Sequence, residues 1–343
     1  MRPSHEDGLT RPGRQPPAPR RGRRACFALG LALLAAPCPG PASAQTVTLR
    51  IGHFPNITHA QALVARGMAR RGQGWFEQRL GPGVKLDWFI YNAGPSAMEA
   101  IFAESLDLTY VGPSPAINAY AKARGEDIRI IAGAAEGGAA LVVQPDAGLR
   151  GPADFRGKRI ATPQLGNTQD VAARAWLSAG GLRVTPTGGD AQVIPTANPD
   201  QLALFQRRQL DAVWTVEPWV TRLELEAGGQ VLVEEREAVT TVLVSSAKFL
   251  RDRRGLAGRF VAAHEELTAW MEANPEDAQR LAREELAAQT RTEVKPELVS
   301  RAWARIVLTP TVSRDALEGF VAKAKDAGFL RTAPDLSRLV EKP

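Results

Sequence analysis

Small residues and neutral hydrogen-bond donors lie just before several predicted helices of this chain. Gly94, Gly112 and Gly166 each precede such a helix, and a glycine lets the backbone approach a ligand closely. A helix N-terminus offers unpaired N–H groups at the positive end of the helix dipole and attracts anions. Hydroxyl and amide side chains nearby would add donors. The residues therefore predict binding of a small anion by neutral donors, without a fixed arginine. The candidate ligand-binding residues are Asn56, His59, Gly94, Pro95, Ser96, Gly112, Pro113, Ser114, Gly138, Asn167, Thr168, Gln169, Glu217 and Trp219.

Glu217 and Trp219 differ in chemistry from the other candidates. A glutamate on a loop facing the cleft would repel an anion, so we expect it to meet a ligand's ammonium group or a backbone donor. Trp219 would then form an apolar wall or stack on an organic tail. The alternative is that Glu217 is a surface carboxylate and Trp219 a core aromatic.

The serine and asparagine candidates also have a purely structural alternative. Ser96 and Ser114 could simply cap helices, and Glu99 lies three residues after Ser96, which is the capping-box spacing. Asn167 and Thr168 could likewise form an ordinary N-cap. The sequence leaves both alternatives open.

Two other residue pairs could in principle bind a ligand or a metal, but their positions do not favour either role. His53 and His59 are separated by a proline loop, which is poor spacing for a metal site without carboxylate or thiol support. We expect His59 to act as a neutral donor in the cleft. Asp107 and Asp211 lie at predicted strand starts, where hydrogen bonding within the local turn is the expected role.

The elements that position these residues follow a pattern that occurs twice. Residues 94–115 and 199–219 both read as a polar cap, a short amphipathic helix, Leu-Asp, an apolar strand and a proline-containing loop. Because a strand delivers its loop to the sheet edge where ligands bind, two such units predict two similar lobes that face one cleft.

Predicted strands and helices alternate along most of the chain, which indicates an α/β fold with a mainly parallel sheet. Thr58 and Ser96 are the expected N-caps of the first two helices. The predicted strands span 47–53, 85–91, 106–111, 128–132, 159–161, 192–194, 212–216 and 231–233, and the later helices 116–123, 167–179, 200–206, 259–271, 275–288, 296–306 and 315–327.

Twin apolar runs at 140–143 and 241–244 indicate where the chain passes between the lobes. We therefore predict a discontinuous lobe I, residues 46–140 plus 238–343, and a lobe II of residues 141–237. The alternative is a single doubly wound sheet with a helical tail.

The first 44 residues have the features of an export signal. Arg20, Arg21, Arg23 and Arg24 precede a short apolar segment, and Ala-Ser-Ala at 42–44 is a cleavage signal that predicts a mature chain from Gln45. The apolar segment is too short for a stable bilayer span. We expect a periplasmic protein. Lipoprotein anchoring through Cys38 is disfavoured because Pro37 stands where a small residue is needed.

Composition excludes several classes of function. The chain has 43 Lys and Arg against 37 Asp and Glu, but the predicted signal holds seven and two of these, which leaves 36 against 35. A nucleic-acid partner is therefore not expected. Cys26 and Cys38 both lie in the predicted signal, so the mature chain has no cysteine nucleophile or ligand. Phosphate-loop, nucleophile-elbow and zinc-protease motifs are absent, and we expect no enzyme activity, cofactor or metal.

Six segments together give a resemblance that covers residues 47–340. They are 51–56 (IGHFPN), 92–96 (NAGPS), 106–108 (LDL), 165–168 (LGNT), 210–214 (LDAVW) and 217–219 (EPW). The chain resembles the periplasmic solute-binding proteins of ABC importers for nitrate, taurine and aliphatic sulfonates, and is most similar to the aliphatic-sulfonate branch.

The resemblance implies a type II periplasmic-binding-protein fold, with two α/β lobes joined by a two-stranded hinge that close on a ligand. It implies a small oxyanion as ligand, an ABC permease with its ATPase as partners, and a monomer. The alternatives are a ligand-sensing module or an enzyme of the same fold. Thiamine-pyrimidine synthases and sulfinate desulfinases of similar fold use cysteine, which counts against the enzymes.

Overall fold

The computed structural model describes residues 46–343. The predicted export signal, its two cysteines and its cleavage site before Gln45 lie outside the described residues. No helix within 46–343 combines the length and the apolar character that a bilayer crossing requires.

Strands and helices alternate through the first two thirds of the described chain, and helices dominate the last third. The strands are β1 (Val47–His53), β2 (Val84–Ile90), β3 (Leu108–Val111), β4 (Ile128–Gly137), β5 (Ala139–Val143), β6 (Arg159–Thr162), β7 (Val184–Thr185), β8 (Gly188–Gly189), β9 (Gln192–Pro195), β10 (Ala212–Val216), β11 (Gln230–Glu235), β12 (Val239–Ser246) and β13 (Ile306–Leu308). The helices are α1 (Ala60–Arg70), α2 (Trp75–Leu80), α3 (Gly94–Phe102), α4 (Pro113–Lys122), α5 (Thr168–Ala179), α6 (Asn198–Gln206), α7 (Trp219–Ala227), α8 (Ala247–Ala273), α9 (Pro275–Thr290), α10 (Pro296–Trp303) and α11 (Arg314–Asp326), with 3-10 turns at Ile57–His59 and Pro152–Phe155.

The strands form two larger sheets and a small hairpin of β7 and β8. The first sheet has the order β13-β4-β12-β3-β1-β2 and the second the order β11-β5-β10-β6-β9. Both are mixed, so the prediction of a mainly parallel sheet was wrong. The reason is that β12 returns to the first sheet antiparallel to β3 and β4, and β5 enters the second sheet antiparallel to β10.

The chain passes between the two sheets at two neighbouring points. It leaves the first sheet at Gly137 and Gly138, which both have φ of +71°, a backbone conformation that glycine adopts at little cost. It returns between Glu235 and Val239, where β11 ends and β12 begins. Our assignment of each sheet with its helices to one lobe remains a prediction.

Each sheet is covered by helices on both faces because its central strands are apolar on both sides. Along β12, Leu243 packs against the side of α1, α8 and α9, whereas Val242 and Val244 pack with α3, α4 and α11. Along β10, Trp214 packs with α5 and Val213 with α6 and α7. Full burial of such a side chain contributes about 1.5–3 kcal/mol.

Two predicted helix caps were wrong. Thr58 lies inside a 3-10 turn, and α3 begins at Gly94 with Ala93 as its N-cap. The Ser96 hydroxyl donates to the Ala93 carbonyl at 2.9 Å and does not cap an N–H. Pro95 explains the early start, since proline fits the first turn of a helix and lacks the N–H that would be unpaired there.

The aspartates at strand starts join neighbouring strands and do not serve local turns. Asp107 accepts from the Arg50 N–H at 2.8 Å and pairs with the Arg50 guanidinium at 2.7 Å. Asp211 accepts from the Arg159 N–H at 2.8 Å. The Asp107 carboxylate thus ties the middle of β1 to the start of β3, and the Asp211 carboxylate ties the start of β6 to the start of β10. The helix predicted over 296–306 ends at Trp303, and Ile306 begins β13.

Candidate functional site

A small cavity lies between the two sheets at the ends of several strands. Its volume is about 20 Å³, which is room for about one water-sized group. Loops that follow β1, β2 and β3 form one side together with Thr240 of β12. Loops that follow β6 and β9 form the other side together with Val216 at the end of β10. The lining residues are Phe54, Asn56, Thr58, His59, Asn92, Ala93, Gly94, Gly112, Pro115, Pro163, Asn167, Thr168, Gln169, Asn198, Val216 and Thr240.

Four helices begin at this cavity. The first residues of α3, α5 and α6 (Gly94, Thr168 and Asn198) line it, and so does Gly112, the N-cap of α4. Each N-terminus carries the positive end of a helix dipole, equivalent to roughly half an elementary charge. Together they give the cavity a positive potential that favours a bound anion.

The first turns of these helices contain several prolines, which limits the number of N–H donors. Pro95, Pro113 and Pro115 carry no N–H. In α5 the Asp170 N–H donates to the Asn167 side chain at 2.8 Å, as the predicted N-cap requires. The N–H groups of Thr168 and Gln169 have no acceptor within the helix, because they belong to its first turn.

Three buried hydroxyls at or beside the cavity have no hydrogen-bond partner within residues 46–343: those of Thr58, Ser114 and Thr168. Thr58 and Thr168 line the cavity, and Ser114 lies in the first turn of α4. A buried hydroxyl without a partner costs about 1–3 kcal/mol. These hydroxyls are free to donate to a group in the cavity. Ser114 is not the helix cap, since Gly112 holds that position.

His59 lines the cavity with a neutral ring. Its Nδ1 accepts from the Phe54 N–H at 3.4 Å, so the ring proton lies on Nε2. Complete burial lowers the pKa of His59 well below its usual value, and the neighbouring His53 lowers it further. The ring is thus uncharged at neutral pH.

The cavity lining within residues 46–343 contains no Arg, Lys, Asp or Glu side chain. The nearby carboxylate of Asp170 is fully buried and pairs with the equally buried Arg174 at 3.0 Å. Asp170 also accepts from the Gly166 N–H at 2.9 Å and from the Thr162 hydroxyl at 2.9 Å. This pair holds the loop before α5 in place without adding net charge beside the cavity.

At two glycines beside the cavity, neighbouring segments of the chain pack so closely that a side chain would not fit. A Cβ on Gly112 would lie 2.2 Å from the Thr168 hydroxyl oxygen, which belongs to the opposite sheet's loop. A Cβ on Gly94 would lie 2.4 Å from the Pro115 ring. The two sides of the cavity therefore meet at Gly112 and Thr168.

Glu217 does not line the cavity. Its side chain is fully buried and accepts from the Thr221 N–H at 3.1 Å, the Thr221 hydroxyl at 2.9 Å and Arg305 at 3.0 Å. Burial raises its pKa, although Arg305 and Thr221 act in the opposite direction. The alternative of a surface carboxylate is wrong, because the side chain is fully buried. A contact between Glu217 and a ligand's ammonium group stays a prediction. The expected backbone donor exists in the Thr221 N–H, and the charge of Glu217 serves a pair within the fold.

Trp219 is the first residue of α7, is 6% exposed and packs in the core with residues of α6 and β10. Its Nε1–H donates to Asn56 Oδ1 at 3.1 Å. Trp219 therefore lies behind the cavity lining and contacts it through Asn56. Most of the Trp219 surface is buried, as expected for a core aromatic. The part that remains exposed lines a separate cavity.

The structure brings half of the candidate residues to one cavity. The lining includes Asn56, His59, Gly94, Gly112, Asn167, Thr168 and Gln169, whereas Pro95, Ser96, Pro113, Ser114, Gly138, Glu217 and Trp219 lie beside or behind it. Gly138 lies at the passage between sheets, where its carbonyl accepts from the Glu217 N–H at 2.8 Å. Sequence reasoning missed four polar residues of the lining, Thr58, Asn92, Asn198 and Thr240, and expected Thr58 only as a helix cap. Asn198 precedes Pro199 and begins α6, a signal of the same kind as Gly94-Pro95.

The two mixed sheets, their helices and a shared cavity at the strand ends define the periplasmic-binding-protein fold. The alkanesulfonate-binding protein SsuA of Xanthomonas axonopodis pv. citri, solved with MOPS bound, has this fold. It superposes with a TM-score of 0.71 at 22% identity, over 87% of this chain and 99% of its own. A family model matches residues 42–286, and the chain belongs to the NMT1-like family.

Curated relatives are named as binding proteins. A candidate binding protein of Brucella abortus is 25% identical over 75% of this chain and 76% of its own length. A candidate aliphatic-sulfonate-binding protein of Escherichia coli is 29% identical over 44% of this chain and 46% of its own. The fold is also found in an enzyme, the desulfurization enzyme DszB, with a TM-score of 0.61 at 18% identity, over 86% of this chain and 96% of that one.

Proposed function

We propose that this protein is an exported solute-binding receptor of an ABC transporter. It captures a small sulfonate-like oxyanion (an aliphatic sulfonate, taurine or a nitrate-like anion) between two lobes and delivers it to a membrane permease with its ATPase. The proposed lobes are residues 46–140 with 238–343 and residues 141–237. The observation that carries the proposal is the convergence of four helix N-termini on one cavity whose lining, among residues 46–343, has no charged side chain.

The donor set favours an oxyanion with several acceptor oxygens. Unpaired hydroxyls of Thr58 and Thr168, first-turn N–H groups and the His59 ring converge from both sides of the cavity. Donors from both sides favour closure around the ligand, because only the closed form makes all the hydrogen bonds. In such receptors the closed form is what a permease would recognise.

A receptor is favoured over an enzyme by the residues present. Within residues 46–343 the cavity lining has no carboxylate, thiol or lysine side chain. Burial lowers the pKa of His59 well below its usual value, which makes its ring a weak base. The sequence from Gln45 onward contains no cysteine. The names of the relatives point in the same direction, since those described above are called binding proteins.

Ligand titration of the purified chain from Gln45 tests the proposal. Methanesulfonate, taurine, nitrate, sulfate and bicarbonate are each added while heat of binding and melting temperature are recorded. A ligand at 100 times its Kd stabilises the folded state by about 2.7 kcal/mol, which raises the melting temperature. Binding of at least one of these oxyanions is expected. If none of them binds at millimolar concentration, the oxyanion assignment is refuted.

A further inference from the structure

Helix α11 packs on helices of both sheets. Its residues Phe320 and Val321 lie in the core of the first sheet, together with residues of α3 and α4. Its C-terminal end, with Ala324 and the following Ala327, packs against Val171 in the first turns of α5. Val171 and Ala324 are fully buried by this contact. Because α5 covers the second sheet, α11 joins the start of α5 to the first sheet.

The chain reverses after α11 and carries Phe329 to a loop of the cavity. Gly328 has φ of +76°, its N–H donates to the Lys325 carbonyl at 2.9 Å, and the Phe329 N–H donates to the Ala324 carbonyl at 2.8 Å. These are the two hydrogen bonds of a glycine-terminated helix end. A Cβ on Gly166 would lie 3.3 Å from the Phe329 ring. Phe329 therefore packs against the loop that directly precedes the cavity residues of α5.

An ion pair joins α11 to the second sheet at another point. Lys323 Nζ lies 3.4 Å from a carboxylate oxygen of Glu235, the last residue of β11. Since β11 ends where the chain returns to the first sheet, this pair lies at the proposed hinge. Contacts close to a hinge change little when two bodies rotate about it. Opening of the cavity would therefore leave the ion pair in place and break the contacts of Phe329 and Val171, which lie beside the cavity.

We propose that residues 324–329 form a C-terminal latch, which holds α5 and the loop before it in the closed position. The inference rests on the proposed two-lobed receptor and assigns control of its closure to residues outside the cavity. Opening exposes the apolar surface of the latch to water, so the latch favours the closed form before any ligand binds. Only the closed form makes all the hydrogen bonds to an oxyanion. A larger closed fraction therefore raises the apparent affinity, and Phe329 is a positioning residue for the donors of α5.

Distance measurements without ligand test the latch. The chain from Gln45 contains no cysteine, so Glu99→Cys and Asp200→Cys together provide two defined sites for spin labels. Both residues are exposed, and they lie on α3 and α6, which begin on opposite sides of the cavity. Pulsed electron double resonance then gives the populations of short and long distances. Phe329→Ala is expected to lower the population of the short distance, and Phe329→Leu, which keeps a large apolar side chain, to restore most of it.

Phe89→Ala is the matched control for Phe329→Ala. Phe89 lies in the edge strand β2, is 40% exposed and belongs neither to the cavity lining nor to the latch. Its truncation is expected to leave the distance populations unchanged.

Calorimetry connects the distances with binding. Each variant is titrated with methanesulfonate, taurine, nitrate, sulfate and bicarbonate. Phe329→Ala is expected to weaken every oxyanion that binds by one common factor, roughly threefold or more, equal to the factor by which the closed fraction falls. Phe89→Ala is expected to keep the affinities of the unsubstituted protein.

The outcomes separate the latch from the receptor proposal. An unchanged or larger population of the short distance in Phe329→Ala overturns the latch, and so does an equal decrease in Phe89→Ala. A lower affinity without a change in the distances also overturns it, because Phe329 then acts on the donors and not on closure. Failure of all five oxyanions to bind overturns the oxyanion receptor, and the distances, which need no ligand, still decide the latch.

Discussion

The Arg305 guanidinium donates to the Glu217 carboxylate at 3.0 Å and thereby links the two sheets. Arg305 lies between α10 and β13 of the first sheet, and Glu217 follows β10 of the second. Arg305 also pairs with Glu224 at 2.8 Å. The Glu217 backbone adds two bonds across the passage, from its N–H to Gly138 and from the Ile57 N–H to its carbonyl, of 2.8 and 2.9 Å. Glu217 is therefore a structural link between the two sheets.

Arg305→Met tests this link. The substitution leaves the fully buried Glu217 without its cationic partner, and removal of one partner of a buried pair costs about 3 kcal/mol or more. We expect the free energy of unfolding in urea at pH 7 to fall by about that amount. The double variant Arg305→Met with Glu217→Gln is expected to recover part of the loss, because the buried charge is then gone.

Arg314→Met provides the matched control for Arg305→Met. Arg314 pairs with Glu318 at 3.0 Å, but both side chains are more than half exposed, at 60% and 56%. Exposed ion pairs contribute little to stability. The free energy of unfolding of Arg314→Met should therefore stay near that of the unsubstituted protein. If Arg305→Met is no more destabilising than Arg314→Met, the pair with Glu217 does not stabilise the fold.

Local sequence signals located most strands and helices. The predicted bounds of β1 and β10 match the structure, and Asn167 caps α5 with a bond of 2.8 Å to the Asp170 N–H. These features depend on alternating apolar residues and on capping preferences, which act over a few residues. The antiparallel entry of β12 was not predictable in this way, because it depends on where a distant strand finds its partners.

The same limit explains what was missed at the site. Glycines and donors before helices led to Asn56, Gly94, Gly112 and Thr168, all at the cavity. The pairing of Glu217 joins residues 88 positions apart, and no local spacing reveals such a partner. A carboxylate in a loop reads the same in sequence whether it faces a ligand or a buried arginine.

Thr168→Val is expected to weaken ligand binding without lowering stability. The Thr168 hydroxyl is buried without a partner within residues 46–343, so its removal ends a desolvation cost. Loss of a hydrogen bond to an anion costs about 1.5–3 kcal/mol, which corresponds to an affinity at least tenfold lower. Calorimetry with methanesulfonate measures the affinity and urea unfolding measures the stability.

Thr241→Val is the control for Thr168→Val. Thr241 lies in β12, its hydroxyl is also buried without a partner among the described residues, and it does not line the cavity. The stability of Thr241→Val should change in the same direction as that of Thr168→Val. Its affinity for methanesulfonate should equal that of the unsubstituted protein. Equal affinity losses in the two variants would contradict a role of Thr168 as a ligand donor.

Gly112→Ala tests the close contact between the two sides of the cavity. The backbone at Gly112 has φ of −68°, so alanine fits the backbone, but its Cβ would lie 2.2 Å from the Thr168 hydroxyl oxygen. The sides must then separate, and we expect methanesulfonate affinity to fall at least tenfold with a small change in melting temperature. Gly83→Ala, where an added Cβ meets nothing within 4 Å, should leave affinity unchanged. Similar affinities for the two variants would show that closure does not need this contact.

His264 makes stability depend on pH between about 6.5 and 4. Its ring is fully buried, its Nε2–H donates to the Gly133 carbonyl at 2.8 Å, and its Nδ1 accepts from the Tyr110 hydroxyl at 3.0 Å. Burial lowers the pKa of His264 from 6.5 to about 4. As pH falls, His264 is protonated at a higher pH in the unfolded chain than in the folded chain. This protonation stabilises the unfolded chain and so lowers the free energy of unfolding. The contribution is complete above pH 6.5 and is lost by about 1.4 kcal/mol for each pH unit down to pH 4.

His264→Gln isolates this contribution. Glutamine keeps a donor and an acceptor but does not titrate. His53 and His59, whose pKa values burial also lowers, contribute equally to the pH dependence of both proteins. The free energy of unfolding in urea is measured from pH 7.5 to 4.5. Its slope against pH should be smaller for the variant, by the amount that corresponds to the uptake of about one proton on unfolding. The difference at pH 7.5 reports only the change in packing and hydrogen bonds, because both forms are neutral there. Parallel slopes for the two proteins would mean that His264 has the same pKa in the folded and unfolded chain, which its complete burial argues against.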